Sequence, residues 1–252
     1  MNKPSLLAIG LALAAGAAMP DARAQMRDPI QPEAVQALDA VGARLRGLQA
    51  YTLDATVETR AALGEGRYRD FSGTSHYLVR PPDRLSGTID GAGTHRQVFY
   101  DGRTLTVYAP ALGKYARVDA PGTLGTALEQ VRVQRGLDLP IAEVFAWGAA
   151  GLPMAGATRA RYEGKGIVNG RACQQYSYMK EGVSWDVSVD DAGLPCKLVM
   201  VDTRDRGLPG YSAELRWDTA ARPAETDFAF APPAGSTEVP LASLPESDTA
   251  TR

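Results

Sequence analysis

The chain contains little of the chemistry on which most enzymes depend. Of its 252 residues only two are cysteine, two are histidine and 7% are aromatic. His76 and His95 belong to no HExxH motif or His-x-His cluster, and the sequence has neither a GxSxG motif nor a glycine-rich loop between a strand and a helix. We therefore expect two surface histidines, no metal site, no cofactor and no enzymatic activity.

An excess of charge of one sign is also missing. The formal net charge is -2, and basic and acidic residues are spread along the whole chain. Proteins that bind nucleic acid or an anionic membrane surface usually carry a concentrated basic patch. The composition therefore indicates no nucleic-acid partner.

Long apolar runs are absent except near the first residue. Lys3 precedes an apolar stretch from Leu6 to Met19, and Ala22-Arg23-Ala24 follows it. This order is typical of a secretory signal peptide, and the stretch is shorter than the roughly 20 residues that span a bilayer. We predict a signal peptide over residues 1–24, cleaved before Gln25, and an exported mature protein without a transmembrane segment. An uncleaved membrane anchor is the weaker alternative.

The two cysteines, Cys173 and Cys196, favour a structural disulfide because an exported protein meets an oxidising compartment. Their spacing is not that of a CxxC motif, which disfavours a metal or redox pair. In a flat meander, however, they would lie two strand spacings apart, about 9.6 Å. That distance exceeds the limit of about 7 Å between bridged Cα atoms. We expect the disulfide to form through a bulge or twist at the strand ends, with two free thiols as the alternative.

The apolar pattern indicates a helix, a strand meander, two further helices and a second meander. The first helix begins at Pro32 and repeats apolar residues every three or four positions: Val35, Leu38, Val41, Leu45 and Leu48. Alternating patterns predict strands from Tyr51 to Ala109 and from Ala172 to Trp217. Helices are expected within residues 120–150. The segment from Ala242 to Arg252 has no periodicity, and we predict a disordered tail.

Two turns define the expected strand registers. A two-residue hairpin at Asp101-Gly102 would place Val98 opposite Leu105, with Val107 on the same face.

The second turn, Glu181-Gly182, predicts a hairpin with aromatic and β-branched pairs on one face. In that register Tyr178 lies opposite Trp185, and Tyr176 lies opposite Val187.

Several segments together resemble a family of predicted periplasmic proteins of unknown function. They are Gln97–Tyr108, Ala120–Leu124, Leu139–Glu143 with Trp147-Gly148, Gly170 with Cys173, Val183–Asp186 and Leu194–Lys197. The match runs from about Pro32 to Pro240. The family is similar to the lipoprotein-carrier superfamily of LolA, LolB and RseB. The resemblance implies a periplasmic α+β protein with one domain over residues 25–241. Its expected fold is a curved, incomplete antiparallel β-barrel with helices across the concave face, and the superfamily's usual ligands are acyl chains.

Two functions fit these observations. The first is a periplasmic binding protein that carries or senses a lipid, a lipoprotein or another apolar ligand. The candidate cavity residues are Val98, Leu105, Val107, Tyr178, Trp185 and Val187 on the sheet, and Val144, Phe145 and Trp147 on a helix from Pro140 to Trp147. That helix would be a lid whose aromatic side chains cover the concave face without filling it. The alternative is a regulatory module that binds another periplasmic protein. In that case the same nine residues would form a closed core without a small ligand.

Overall fold

The computed structural model describes residues 29–91, 93–137, 139–150, 154, 156–245 and 248, without the side chains of 148–150. The predicted signal peptide over residues 1–24 and its cleavage site lie outside the described residues and stay a prediction. Within the described part of the chain, none of the helices has the length and apolar character needed to cross a membrane.

Three helices and twelve strands make up the described fold. The helices are α1 (Pro32–Arg46), α2 (Leu124–Arg135) and α3 (Ala142–Ala150), with short 3₁₀ turns at Pro110–Leu112, Glu225–Phe228 and Leu241–Ser243. The strands are β1 (Tyr51–Gly64), β2 (Arg67–Arg80), β3 (Arg84–Gly91), β4 (Thr94–Tyr100), β5 (Thr104–Ala109), β6 (Lys114–Asp119), β7 (Ala157–Val168), β8 (Arg171–Lys180), β9 (Val183–Asp190), β10 (Pro195–Asp202), β11 (Gly210–Asp218) and β12 (Thr237–Glu238).

All twelve strands belong to one open sheet. Their spatial order is β12-β6-β5-β4-β3-β2-β1-β11-β10-β9-β8-β7, and every pairing except that of β12 with β6 is antiparallel. The two meanders join where β1 pairs with β11. Because β7 and β12 at the two edges do not pair with each other, the barrel is incomplete. The predicted α+β fold, an incomplete antiparallel barrel with helices across one face, is confirmed.

One face of the sheet is buried beneath the helices. Leu53, Tyr77, Val98 and Leu215 on the strands are no more than 1% exposed, and they belong to one core cluster with residues of all three helices. On α1 the buried stripe contains Ala34, Leu38, Val41 and Leu45, whereas Val35 is only half-buried. Buried residues alternate with more exposed ones along strands such as β1 and β2, which separates an apolar face beneath the helices from the outer face. On β5 both faces are buried.

The turn between β4 and β5 is longer than predicted. Val98 pairs with Val107 and not with Leu105, and the last pair of this register, Tyr100 with Leu105, leaves four residues between the paired positions. The Asp101 carboxylate accepts hydrogen bonds from the backbone N–H of Arg103 (3.0 Å) and of the following residue (2.7 Å), a local contact that stabilises this wider turn. The predicted two-residue hairpin is wrong. Because the register differs by two residues, the predicted shared face remains correct.

The hairpin at Glu181-Gly182 has the predicted register. Tyr178 lies opposite Trp185, and their rings stack with centroids 5.3 Å apart. The Tyr178 hydroxyl also donates a hydrogen bond to the carbonyl oxygen of Ala34 in the first turn of α1 (2.9 Å). This strand pair therefore holds the beginning of α1 on the concave face.

The C-terminal part of the chain covers the β6 edge of the sheet. Strand β12 pairs with β6, and Phe230 contacts three rings of the outer face. These are Phe99, Tyr108 and Tyr115, with centroids 5.3, 5.4 and 5.1 Å from that of Phe230. Since an uncovered edge strand can pair with another chain, this covering protects the fold.

The chain after β12 continues onto the concave side. Leu241 and Leu244 pack against the core cluster, and the Asp248 carboxylate pairs with Arg96 and accepts the backbone N–H of His95 (2.6 Å). The prediction of a disordered tail from Ala242 is therefore wrong for residues 242–245 and 248. The rest of that segment lies outside the described residues.

A disulfide joins Cys173 on β8 to Cys196 on β10, across the intervening strand. The register of β10 shifts between Pro195 and Lys197, so Cys196 is the extra residue of a β-bulge. With this bulge the Cα atoms lie 7.1 Å apart, closer than a flat meander allows. Together with Val168 the two cysteines form a small buried cluster apart from the main core.

We expect the disulfide to stabilise the fold by constraining the unfolded chain. The cysteines are 23 residues apart, and in the chain-entropy model closing such a loop contributes about 3 kcal/mol. Urea unfolding of oxidised protein and of the Cys173→Ala/Cys196→Ala variant should differ by roughly that amount. Thiol titration of the denatured protein should find no free thiol, and two titratable thiols would contradict the assignment.

Candidate functional site

Helix α3 is held on the concave face by Tyr77. The Tyr77 side chain is fully buried, and its hydroxyl donates a hydrogen bond to the carbonyl oxygen of Pro140, just before the helix (3.2 Å). Its ring packs edge-on against Phe145, with centroids 5.2 Å apart and planes at 83°. Gly87 lies opposite Tyr77 on β3, and a Cβ there would lie 2.6 Å from the Tyr77 ring. A glycine at this position therefore gives the ring its space.

Further contacts fix α3 on its other sides. The Tyr211 hydroxyl on β11 donates to Oε2 of Glu143 (2.8 Å). A Cβ on Gly125 of α2 would lie 2.9 Å from Cα of Ala146, and one on Gly42 of α1 would lie 3.5 Å from the carbonyl oxygen of Trp147. Glycines in α1 and α2 thus allow both helices to approach α3 closely.

The nine predicted cavity residues are all buried in a continuous core. They are Val98, Leu105, Val107, Val144, Phe145, Trp147, Tyr178, Trp185 and Val187, and each is at most 5% exposed. Phe145 and Trp147 are each 4% exposed in this core, and Phe145 also borders a cavity, so that they cover the concave face without filling it stays a prediction. Truncation of Phe145 to alanine would consequently cost about 3–5 kcal/mol of stability.

A cavity of about 400 Å³ opens beside this core, at one end of the barrel, and we call it the mouth cavity. Its lining residues are Leu45, Arg46, Leu48, Gln49, Tyr51, Val79, Pro81, Pro82, Thr123, Leu124, Val144 and Phe145. Of the predicted residues it includes Val144 and Phe145, whereas the other seven belong to the core. Most of the lining is apolar, as in sites that bind apolar ligands.

Five chain segments meet at the mouth cavity. Helix α1 ends at Arg46, and β1 begins at Tyr51 on the cavity wall. Two prolines follow β2, where they cannot continue the ladder, and the carbonyl oxygen of Pro82 accepts the backbone N–H of Leu124 (2.8 Å). That bond holds the beginning of α2 beside the end of β2. Helix α3 supplies the remaining wall.

Four lining residues carry polar groups: Arg46, Gln49, Tyr51 and Thr123. Thr123 caps α2, since its hydroxyl accepts the backbone N–H of Thr126 (3.4 Å). Tyr51 is 4% exposed, and burial raises the pKa of its phenol, so the hydroxyl stays a hydrogen-bond donor. Sequence reasoning missed this cavity because its residues come from segments that are far apart in the chain.

A larger depression of about 910 Å³ lies on the outer face, with walls that are mostly polar. His76 contributes to it, and its Nδ1 lies 2.6 Å from the Asp54 carboxylate. His95 makes a similar pair with Asp90 (2.6 Å). Both histidine side chains are exposed, at 53% and 42%, as predicted. In the part of the chain that is described, no group of three or more His, Cys, Asp or Glu side chains could hold a metal ion.

Comparison with protein families places most of the chain in one family. The model of the family described as "Predicted periplasmic protein (DUF2092)" matches residues 34–242. The match includes every residue that lines the mouth cavity. Among curated proteins, no sequence matches this chain.

Several solved structures are similar to the chain at low sequence identity. One chain in the structure of the MucA/MucB complex of Pseudomonas aeruginosa is 14% identical to this chain, with a TM-score of 0.42. The match covers 79% of this chain and 61% of that chain. LprF from Mycobacterium bovis is 14% identical over 82% and 99%, with a TM-score of 0.43. A LolA superfamily protein from Nitrosomonas europaea is 11% identical over 78% and 97%, with a TM-score of 0.38. The chain spans less than two thirds of the matched MucA/MucB chain.

We expect Gly87→Ala to disturb the docking of α3. The added Cβ would lie 2.6 Å from both the Tyr77 ring and the carbonyl oxygen of His76, so the ring that supports the helix must move. Overpacking of this kind should cost about 2 kcal/mol in urea unfolding. Gly47→Ala is the control, since its Cβ would have no contact closer than 3.5 Å. Equal stability of the two variants would contradict this role of Gly87.

Proposed function

We propose that this chain, which belongs to the DUF2092 family of predicted periplasmic proteins and is periplasmic, is a binding protein. In this proposal it takes one apolar chain of a lipid or lipoprotein into the mouth cavity. The observation that carries the proposal is the cavity itself. Its volume of about 400 Å³ lies within the range of roughly 300–1,000 Å³ that is common for small-molecule sites.

The size of the cavity limits what it can hold. Its volume is near the lower end of that range, which favours one acyl chain over several. Phe145 and Trp147 are each 4% exposed and pack in the core cluster between helix and sheet. We therefore place the ligand beside α3 and not beneath it.

The proposal is one of binding and not of catalysis. His76 and His95, the two histidines of the sequence, lie on the outer face of the sheet, where each pairs with an aspartate. The mouth cavity lies on the opposite side, among the helix ends. Its walls supply apolar surface and hydrogen-bond donors, which suit the retention of a ligand.

A protein-interaction role is the second candidate, and one observation favours it. Phe71 and Leu208 are 37% and 53% exposed, and both border a shallow depression where β1, β2, β10 and β11 meet. Exposed apolar side chains that lie together are frequent at protein interfaces. In this alternative the partner binds the sheet near Phe71, and the mouth cavity stays without a ligand.

Filling the mouth cavity should abolish binding. We expect Val144→Phe to lower the affinity for the neutral dye Nile red at least tenfold, because the larger side chain takes the space of the ligand. Overpacking should cost about 1–3 kcal/mol of stability, so a melt confirms that the variant is folded. Fluorescence titration of the dye measures the affinity.

Val133→Phe is the matched control, since this α2 side chain is 67% exposed and does not line the cavity. It should bind the dye as the parent protein does. Failure of the parent protein to bind Nile red, or equal binding by folded Val144→Phe, would contradict the proposed site. Loss of binding only in Phe71→Ala would instead place the apolar site in the shallow depression bordered by Phe71 and Leu208.

A further inference from the structure

We propose that the mouth cavity selects amphiphiles with one apolar chain and an anionic head, and that Arg46 and Tyr51 bind the head. The inference rests on the proposed function, since it concerns the ligand class of the same cavity. Its basis is the placement of hydrogen-bond donors around an otherwise apolar opening.

Arg46 supplies the positive charge at the opening. Among the twelve described residues that line the mouth cavity it is the one charged residue, and none of the twelve carries a carboxylate. Arg44 lies two residues earlier in α1 and has a partner, because its Nε donates to the carbonyl oxygen of Ala192 (3.1 Å). For Arg46, by contrast, the described residues provide neither a hydrogen-bond acceptor nor an ion-pair partner.

The Arg46 side chain lies against its own helix near the junction with α3. A Cβ on Gly42 would lie 3.2 Å from Nη1 of Arg46 and 3.5 Å from the carbonyl oxygen of Trp147. Gly42 therefore leaves room for the guanidinium above the helix crossing. From this position its free N–H groups can meet the head of a ligand whose chain extends along Leu45 and Phe145.

Tyr51 adds a second donor on the cavity wall. Its residue is 4% exposed and its ring packs against Trp217 with centroids 5.1 Å apart, which holds the side chain in place. Among the described residues its hydroxyl has no hydrogen-bond partner. The oxygen atom is not sealed off from the open cavity, so a ligand oxygen there can accept its hydrogen bond.

The chemistry of these groups determines the sign of the ligand. Arginine has donors and no acceptor, and the protonated tyrosine hydroxyl donates. Carboxylate and phosphate oxygens accept such bonds, and the guanidinium strengthens them through its charge. A cationic head would be repelled by Arg46, and an alcohol would gain only neutral hydrogen bonds. The cavity therefore matches an acyl chain that ends in a carboxylate or a phosphate.

Displacement of Nile red by three ligands with the same dodecyl chain tests the inference on the full exported protein. The ligands are laurate and dodecyl phosphate, each below its micelle concentration, and dodecanol below its solubility limit. We expect the two anions to displace the dye at about three- to tenfold lower concentration than dodecanol, because an ion pair near the surface strengthens binding by about this factor. Added salt should reduce this difference. The stronger of the two anions identifies the head as a carboxylate or a phosphate.

Two variants assign the preference to its residues. With Arg46→Gln, the two anions should displace the dye only at the concentration that dodecanol needs, and the concentration for dodecanol should not change. With Tyr51→Phe, all three ligands should need a higher concentration to displace the dye, while the preference for anions remains. Arg69→Gln removes an exposed arginine of β2 that lies outside the cavity and should behave as the parent protein does.

The outcomes separate this inference from the proposed function. If dodecanol and the anions displace the dye equally, or if Arg46→Gln keeps the preference, the cavity binds chains but Arg46 does not select the head. If none of the three ligands displaces bound dye, or if the dye itself does not bind, the proposed function fails as well. A melt of each variant shows that lost selectivity does not come from unfolding.

Discussion

The packing of α3 against Tyr77 is the contact on which the use of the concave face depends. An open sheet with one apolar face must bury that face, and here Phe145 and Trp147 of α3 help to do so, with the ring of Tyr77 packed against Phe145. Once this contact is made, the centre of the barrel is closed. The mouth cavity lies beside this closed part, where the end of α1, the beginning of α2 and α3 supply its walls.

The same open sheet has two edges that require protection, and both chain ends provide it. The segment before α1 pairs with β7, since the backbone N–H of Gln31 donates to the carbonyl oxygen of Ala160 (2.9 Å). The segment after β11 covers β6 through β12 and Phe230. Covered edges keep an incomplete barrel from pairing with other chains and allow it to remain open on its concave side.

Much of this architecture could be predicted from sequence, because it depends on local patterns. The alternation around Glu181-Gly182 gave the correct register of Tyr178 with Trp185. The first hairpin was wrong because the Asp101 side chain binds two backbone N–H groups, a contact that the dipeptide alone does not reveal. The bulge at Cys196 was anticipated only as a requirement of the disulfide.

The candidate site was harder to predict for a different physical reason. Bulky residues such as Trp147 and Trp185 lie on the expected face, but their periodicity is the same whether they line a cavity or fill a core. What distinguishes the two is how the ends of α1, α2 and α3 diverge, which depends on contacts between distant segments. Arg46 and Tyr51 flank a short connection between helix and strand, and an arginine at a helix end also fits the helix dipole.

Native mass spectrometry of the protein purified from the periplasm, before and after incubation with a total lipid extract, tests the central claim most directly. If the mouth cavity holds one apolar chain, the spectrum should contain a complex of one protein with one single-chain amphiphile, and organic extraction should release that molecule for identification. A protein that stays without a ligand under both conditions, or that binds several lipids without a defined ratio, would contradict the account.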